Sequence, residues 1–292
     1  MAKIISLSEL SSDELFEAFS AAFSDYEITL NRAEHDKMLL RRGFNPELSF
    51  GAIADGRLVS FTCNGIGFYN GNLTAYDTGT GTLKEYRGKG LATEVFKESL
   101  PVLKKAGIRQ YLLEVLQHNQ PAVKVYMNLG FKVTREFNYF VTDRQNVQPP
   151  VAKIPAGLNI SEIKFNELGD VYDFWDYAPS WQNSFDAILR KPEDFRVFAA
   201  MYGGRIVAYG IIEPESGDIT QLAVHPEYRR VKIGSAILAK LVSVNNHSHL
   251  KLINSEVHCT ALTTFCESAG LTLSGKQFEM ILPLDEGVVS VR

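Results

Sequence analysis

The sequence predicts an α/β protein (mixed α+β) made of two related domains. Three observations predict it. A basic, glycine-containing loop, Tyr86-Arg87-Gly88-Lys89-Gly90-Leu91-Ala92-Thr93, lies between a strand-like and a helix-like segment. A looser copy, Tyr228-Arg229-Arg230-Val231-Lys232-Ile233-Gly234-Ser235, has the same surroundings further along. Asp55-Gly56 and Asn70-Gly71 separate strand-like runs, as hairpin turns do.

The elements follow in order. Ser11 and Glu14 have capping-box spacing ahead of a helix whose apolar side is Leu15, Phe16, Phe19 and Phe23. A second helix covers Glu34 to Arg42, and strands run over Leu48 to Ala54, Leu58 to Phe68 and from Leu73 onward. The helix after the glycine loop spans Leu91 to Lys105, and Tyr111 to Leu116 is a short buried strand. Pro121 suits the first turn of a helix that ends at Gly130, and Phe131 to Val141 forms one or two closing strands. Pro149, Pro150, Pro155 and Gly157 mark residues 146–157 as a linker between a domain at 1–145 and one at 158–292.

Beyond the linker the pattern repeats. Gly56 to Phe61 matches Gly204 to Tyr209, Glu85-Tyr86-Arg87 matches Glu227-Tyr228-Arg229, and Leu129-Gly130-Phe131 matches Ala269-Gly270-Leu271. The offsets of 148, 142 and 140 shrink steadily, as loop-length differences between two copies would produce, and point to duplication.

Composition limits the function. A net charge of -4 argues against non-specific nucleic-acid binding. No apolar run approaches a membrane span, and three cysteines make no disulfide framework; a cytoplasmic protein is the expectation. His258, Cys259 and Cys266 match no standard zinc spacing, so no metal is expected. Oligomeric state is not legible.

The glycine loop is a candidate anion cradle, because the first N–H groups of a helix lack intrahelical partners and its dipole favours negative charge there. It is not a nucleoside-triphosphate loop: Gly90 follows Gly88-Lys89 where a hydroxyl for Mg²⁺ would be needed. One strand later comes Asn119-Gln120-Pro121-Ala122-Val123-Lys124-Val125-Tyr126-Met127-Asn128-Leu129-Gly130-Phe131. Together the two segments resemble the GNAT superfamily of acetyl-CoA-dependent N-acyltransferases, over about Leu7 to Phe140 and more weakly over Leu158 to Leu282.

The resemblance implies that each domain is a twisted mixed, mostly antiparallel sheet flanked by helices, splayed open near its middle to admit acetyl-CoA as co-substrate. It implies that Gly88, Lys89, Gly90, Leu91, Ala92 and Thr93 offer backbone N–H groups to the pyrophosphate, with Arg87 adding positive charge. It places the backbone of Gly81, Thr82 and Leu83 beside the pantetheine arm, and Asn119 and Ala122 at the coenzyme or at the start of their helix. Glycine weakens strands, so Gly79 and Gly81 signal either a bulge or the close approach of another chain or ligand.

Tyr126 falls where the family places its general acid, and a phenol with pKa of about 10 can protonate a departing thiolate. Glu114, in Leu113-Glu114-Val115, resembles the proposed base of the ribosomal-protein N-acetyltransferases; Asp77 is the alternative. Asp25-Tyr26 is a candidate lining for the acceptor pocket. The acceptor is a primary amine on a small molecule or a peptide. The competing reading is a coenzyme A-binding sensor or scaffold without catalysis.

In the second half Lys232 replaces Gly90, Phe265 replaces Tyr126, His258 replaces Asn119 and Ile253 replaces Glu114. That half is expected not to catalyse acetyl transfer. Pro179-Ser180-Trp181-Gln182-Asn183-Ser184, close to Trp175, reads either as a packed loop capping a helix or as part of a small-molecule pocket at the domain interface.

Overall fold

A computed structural model of the chain describes residues 2–25, 29–149 and 154–284. In the first half the order is β1 (Lys3–Ser6), α1 (Ser12–Ala22), α2 (Arg32–Arg42), β2 (Phe50–Ala54), β3 (Arg57–Tyr69) and β4 (Asn72–Thr82). There follow α3 (Leu91–Lys105), β5 (Gln110–Leu116), α4 (Gln120–Asn128) and β6 (Lys132–Asp143). The second half has β7 (Asn159–Ile163), α5 (Phe185–Leu189), β8 (Arg196–Tyr202), β9 (Arg205–Glu213) and β10 (Asp218–Val224). It ends with α6 (Ile233–Val244), β11 (His249–Glu256), α7 (Thr260–Ser268) and β12 (Leu273–Pro283).

Local chemistry accounts for most boundaries. Ser11 and Asn31 each close a capping box, with Glu14 and Glu34 returning the bond. Asp55 and Gly56 (φ 52° and 75°), like Asn70 and Gly71 (φ 49° and 77°), take the left-handed conformation of tight hairpin turns. Pro121 sits in the first turn of α4, where its missing N–H leaves no bond unmade.

The compact units are not the sequential halves 1–145 and 158–292. The first unit comprises residues 1–115, 119–134 and 279–292; the second comprises 116–118 and 135–278. Strands β6 and β12, equivalent in the two copies, have traded places. The first unit runs β1-β2-β3-β4-β5 and then β12, and Leu284 N donates to Arg109 O at 2.8 Å. In the second, β11 pairs antiparallel with β6, from His249↔Asp143 to Glu256↔Phe137, and β10, β9, β8 and β7 follow. Residues 146–149 are not a bare linker: Val147 is buried in the second unit's core, and Gln148 N donates to Ala269 O.

Each unit has its own core. In the first, α1 and α2 lay Leu15, Phe19 and Leu39 on Leu58, Phe61 and Cys63, while Val95 of α3 packs with Phe50, Val59 and Leu83. The second buries Ile233, Ile237 and Leu241 of α6 with Phe198, Ala208, Ile212 and Leu250.

The exchange has a measurable consequence. A fragment of residues 1–145 lacks the β12 segment beside β5, and an open strand edge templates association. Size-exclusion chromatography should show that fragment aggregated or heterogeneous. A monodisperse fragment with a cooperative melt would contradict the exchange.

Candidate active site

The site in the first unit is built on a parting of strands. β4 and β5 run parallel and pair only at Thr74↔Gln110, Ala75↔Tyr111 and Tyr76↔Leu112. Beyond Tyr76 the β3–β4 register shifts at Cys63/Asn64, which leaves Thr78 as an extra residue. Arg42 Nη1 donates to the freed Thr78 carbonyl at 2.9 Å, and Arg87 Nε donates to the Thr82 carbonyl at 3.1 Å. Leu83 N bonds to Val59 O, so by antiparallel alternation Thr80 and Thr82 turn their backbone groups away from β3, toward the parting.

Gly79 and Gly81 have a packing explanation. A Cβ on Gly81 would lie 2.6 Å from the Phe61 ring and 2.9 Å from Ala22, and one on Gly79 would lie 3.1 Å from Phe19. Helix α1 therefore sits directly on bare backbone. The side chain of Leu83 is buried and its amide is already bonded, so Leu83 offers nothing outward through either.

The loop into α3 is left-handed at Gly88 (φ 74°) and Gly90 (φ 80°), and a Cβ at either would meet nothing within 4 Å. Glycine is needed there for conformation, and the space beyond is open. Gly90 is the N-cap of α3 and no side chain caps it, so the entrance amides of Leu91, Ala92 and Thr93 have no intrahelical partner. Lys89 Nζ lies 4.7 Å from the Tyr86 ring centre.

Arg87 has a different task from the one its charge suggests. Its guanidinium donates to Thr82 O, to Ala22 O at 2.8 Å and to Asp25 Oδ2 at 3.2 Å, fastening the loop to the end of α1. Asp25, read from sequence as pocket lining, instead faces Arg87 and Lys84; Tyr26 lies outside the described residues.

Tyr126 is buried against Phe96 and Phe131, and its hydroxyl donates to Asp77 Oδ2 at 3.2 Å. Burial, reinforced by the Asp77 charge, holds this phenol well above its ordinary pKa, so it carries its proton at neutral pH. Asp77 also accepts from Thr80 Oγ1 at 2.7 Å and from Gly79 N at 2.9 Å. Burial pushes its carboxyl up to about 6, against the opposing pull of these donors and Arg42. The network continues through Thr62 Oγ1, 2.8 Å from Thr80 Oγ1 and 3.2 Å from Tyr111 Oη, and Tyr111 donates to Asn64. Sequence reasoning missed Thr62, Asn64, Thr80 and Tyr111, because nothing in their spacing marks them as neighbours.

Glu114 and Tyr126 lie on opposite faces of the sheet. Along β5, Tyr111 faces Phe96 and Phe131, so by alternation Leu112 and Glu114 face the other way. The Glu114 carboxylate bonds the buried Tyr76 phenol, whose pKa is held well above its usual value by burial and then by that carboxylate. Asn119 caps α4 by accepting from Ala122 N at 3.4 Å.

The second unit repeats this geometry with altered chemistry. Arg229 donates to Val224 O, Phe174 O and Asp176 Oδ1, as Arg87 does to Thr82 O, Ala22 O and Asp25. The left-handed positions persist at Arg230 (φ 66°) and Lys232 (φ 71°), where a side chain is strained by about 1–2 kcal/mol per residue. β10 and β11 also pair in parallel at one register position, Asp218↔Lys251.

Comparison with known proteins agrees with this architecture. The model of the Acetyltransferase (GNAT) family matches residues 9–131 and 162–260, well over half of the chain. The chain belongs to the GNAT acetyltransferase family. It is 33% identical over 98 residues to N-alpha-acetyltransferase 30 of Schizosaccharomyces pombe, covering 33% of this chain and 65% of that protein. It is 27% identical over 97 residues to N-alpha-acetyltransferase MAK3 of Arabidopsis thaliana, covering 33% of this chain and 51% of the relative. The matches thus span less than two thirds of either relative.

Among solved structures, a tandem GNAT protein from the clavulanic acid biosynthesis pathway shares the fold with TM-score 0.73 and 13% identity, over 99% of this chain and 100% of that one. A GCN5-related N-acetyltransferase from Sphaerobacter thermophilus gives 0.72 and 15%, over 99% and 96%. Tandem GNAT architecture is therefore a property of this chain. Among the described residues no helix is long and apolar enough to cross a membrane, and no three His, Cys, Asp or Glu side chains gather as a metal site.

The raised Asp77 carboxyl makes a signed prediction. A group with a higher pKa when folded favours the native state in its protonated form, so the contribution of Asp77 to stability falls as pH rises from about 4 to about 6 and is level above. The shift to about 6 is worth at most about 3 kcal/mol. Asp77→Asn removes the titration. Its Tm relative to wild type should climb across that window by calorimetry; a flat difference would place Asp77 in a solvated setting.

Proposed function

We propose that the first unit is an N-acetyltransferase that moves acetyl from acetyl-CoA to a primary amine by direct attack. The observation that carries this reading is the position of Tyr126 and Glu114 on opposite faces of one strand parting. A thioester in that gap has a proton donor on one side and a carboxylate on the other, the acid and the base that attack of an ammonium-derived amine on a thioester uses.

The residues divide the work as follows. The amides of Gly88, Lys89, Gly90, Leu91, Ala92 and Thr93 hold the diphosphate of coenzyme A, in the open space that side chains at Gly88 and Gly90 would fill. Arg87 keeps that loop in shape from behind. The outward backbone of Thr80 and Thr82, next to Gly81, pairs with the amide-bearing arm like an added strand. Asn119 and Ala122 set the start of α4, and α4 carries Tyr126. When bound, acetyl-CoA supplies the activated acyl group.

Glu114, next to Tyr76, takes the proton from the incoming ammonium directly or through a water. The amine then attacks the thioester carbonyl to form a tetrahedral adduct; as it collapses the C–S bond breaks, Tyr126 hands its proton to the departing thiolate, and the second proton on nitrogen returns through water to the phenolate. Asp77 aims the phenol. Because the similar proteins are named N-alpha-acetyltransferases, peptide N-terminal amines are the first acceptor class to screen.

Two measurements test this. Tyr126→Phe should lower kcat by about 100-fold with coenzyme A affinity nearly unchanged, since general acid catalysis supplies factors of that size; unchanged turnover would remove Tyr126 from the chemistry. Gly90→Asp puts a carboxylate at the helix entrance and should weaken coenzyme A binding at least tenfold by calorimetry. No binding heat from the wild-type protein would end this reading.

A further inference from the structure

Tyr126 has one proton, and in the structure that proton is already engaged. Its hydroxyl donates to Asp77 Oδ2 at 3.2 Å, the oxygen that also accepts from Thr80 Oγ1 at 2.7 Å. The reaction above needs the same proton for a departing thiolate. The state of Asp77 decides whether it is available.

The bonds around Asp77 leave a protonated carboxyl one place for its hydrogen. Oδ1 accepts from Gly79 N at 2.9 Å, and two donors cannot face each other, so the hydrogen goes on Oδ2. There it points at the Tyr126 oxygen, while a lone pair of Oδ2 still receives Thr80 Oγ1. Tyr126 then accepts where it had donated, and its own O–H turns elsewhere. An ionised Asp77 has no hydrogen, so the phenol donates to it, and a bond to a charged acceptor is among the stronger ones.

Behind Asp77 the hydroxyl chain is closed. It passes from Thr80 to Thr62 to Tyr111 and ends at Asn64 Oδ1, since Asn64 Nδ2 is engaged on Leu48 O at 2.6 Å. A chain that ends at an amide brings no proton in from water, so it anchors Asp77 and does not feed it. The other titratable or charged groups around Asp77 keep one state. Arg42 of α2 stays a cation. Burial holds the protons on Cys63 of β3, Tyr76 of β4, Tyr111 of β5 and Tyr126 of α4. Among these described residues, Asp77 alone changes charge near neutral pH.

We propose that Asp77 is a positioning residue that works as a switch: its protonated carboxyl releases the Tyr126 O–H toward the strand parting, and its carboxylate holds that O–H back. This rests on Tyr126 being the general acid. No proton leaves Asp77 in the reaction. The thiolate takes the proton of Tyr126, and Asp77 changes only the direction in which that proton points.

Asp77→Asn fixes the switch in its released position. The amide oxygen keeps the Gly79 N–H, so the NH₂ group takes the place of Oδ2 and donates to Tyr126 and to Thr80, whose hydroxyl turns to Thr62. Every polar group keeps a partner, so the variant should fold. The ratio of wild-type kcat to Asp77→Asn kcat, at saturating acetyl-CoA and amine, cancels the titrations that both proteins share, those of the amine and Glu114 included. It should fall at least about tenfold as pH rises from about 5 to about 8, the effect of freeing a proton from a charged partner. The midpoint should lie near about 6.

A flat ratio, as a merely structural role would give, or one that rises with pH, would overturn the switch. Wild-type protein gives a second check. The infrared carbonyl band of a buried carboxylic acid should be present at about pH 5 and lost by about pH 8; a band missing at the first or persisting at the second would also overturn it. Tyr126→Phe separates the two failures. If it costs about 100-fold in kcat and the ratio is flat, the switch alone falls. If it leaves turnover unchanged, the general acid falls and the switch with it.

Discussion

Strands β4 and β5 cease to pair after Tyr76↔Leu112, and the functional part of the first unit is arranged around that break. Two parallel strands that separate leave backbone groups without a ladder, and buried groups of that kind must find other partners. Two guanidinium groups answer part of the demand, Arg42 at Thr78 O and Arg87 at Thr82 O. Between them Thr80 turns its backbone groups away from β3, toward the parting. The extra residue at Thr78 turns β4 so that Asp77 and Thr80 reach the same side as Tyr126.

The same device recurs in the second unit, which separates scaffold from chemistry. Arg229 repeats the three bonds of Arg87 with different partners, and the loop keeps its left-handed turns even where arginine and lysine strain them. A backbone shape kept at such cost shows that the loop geometry is held by tertiary packing, with the exposed side chains free to differ. The tyrosine is not kept: the two helices align Asn119 with Cys259 and Tyr126 with Cys266, one residue on from the His258 and Phe265 of the sequence comparison.

Strand exchange adds a further constraint. Strand β6 lies mostly in the second unit and β12 is divided, its residues 279–283 in the first, so the boundary drawn at the proline-rich segment does not separate the units. Val147, inside that segment, is core. Proline and glycine report where a chain cannot be regular; they do not report whether its neighbours are buried.

Sequence alone determined the local events. Hairpin turns at Asp55-Gly56 and Asn70-Gly71, the Ser11–Glu14 capping box, the span of α3 and the duplication all follow from short-range chemistry or direct comparison of segments. The candidate loop and Tyr126 were legible because their spacing carries the family resemblance. Tertiary structure alone decided the rest. It turned Arg87 inward to Ala22 and Asp25, explained Gly79 and Gly81 by Phe19 and Ala22 of α1 and Phe61 of β3, and set Asp77 against Tyr126 across 49 positions of sequence. It also put β12 beside β5 and β6 beside β11. These outcomes depend on which distant surfaces meet, and hydrogen bonds across the sheet carry no trace in the spacing of the residues that make them.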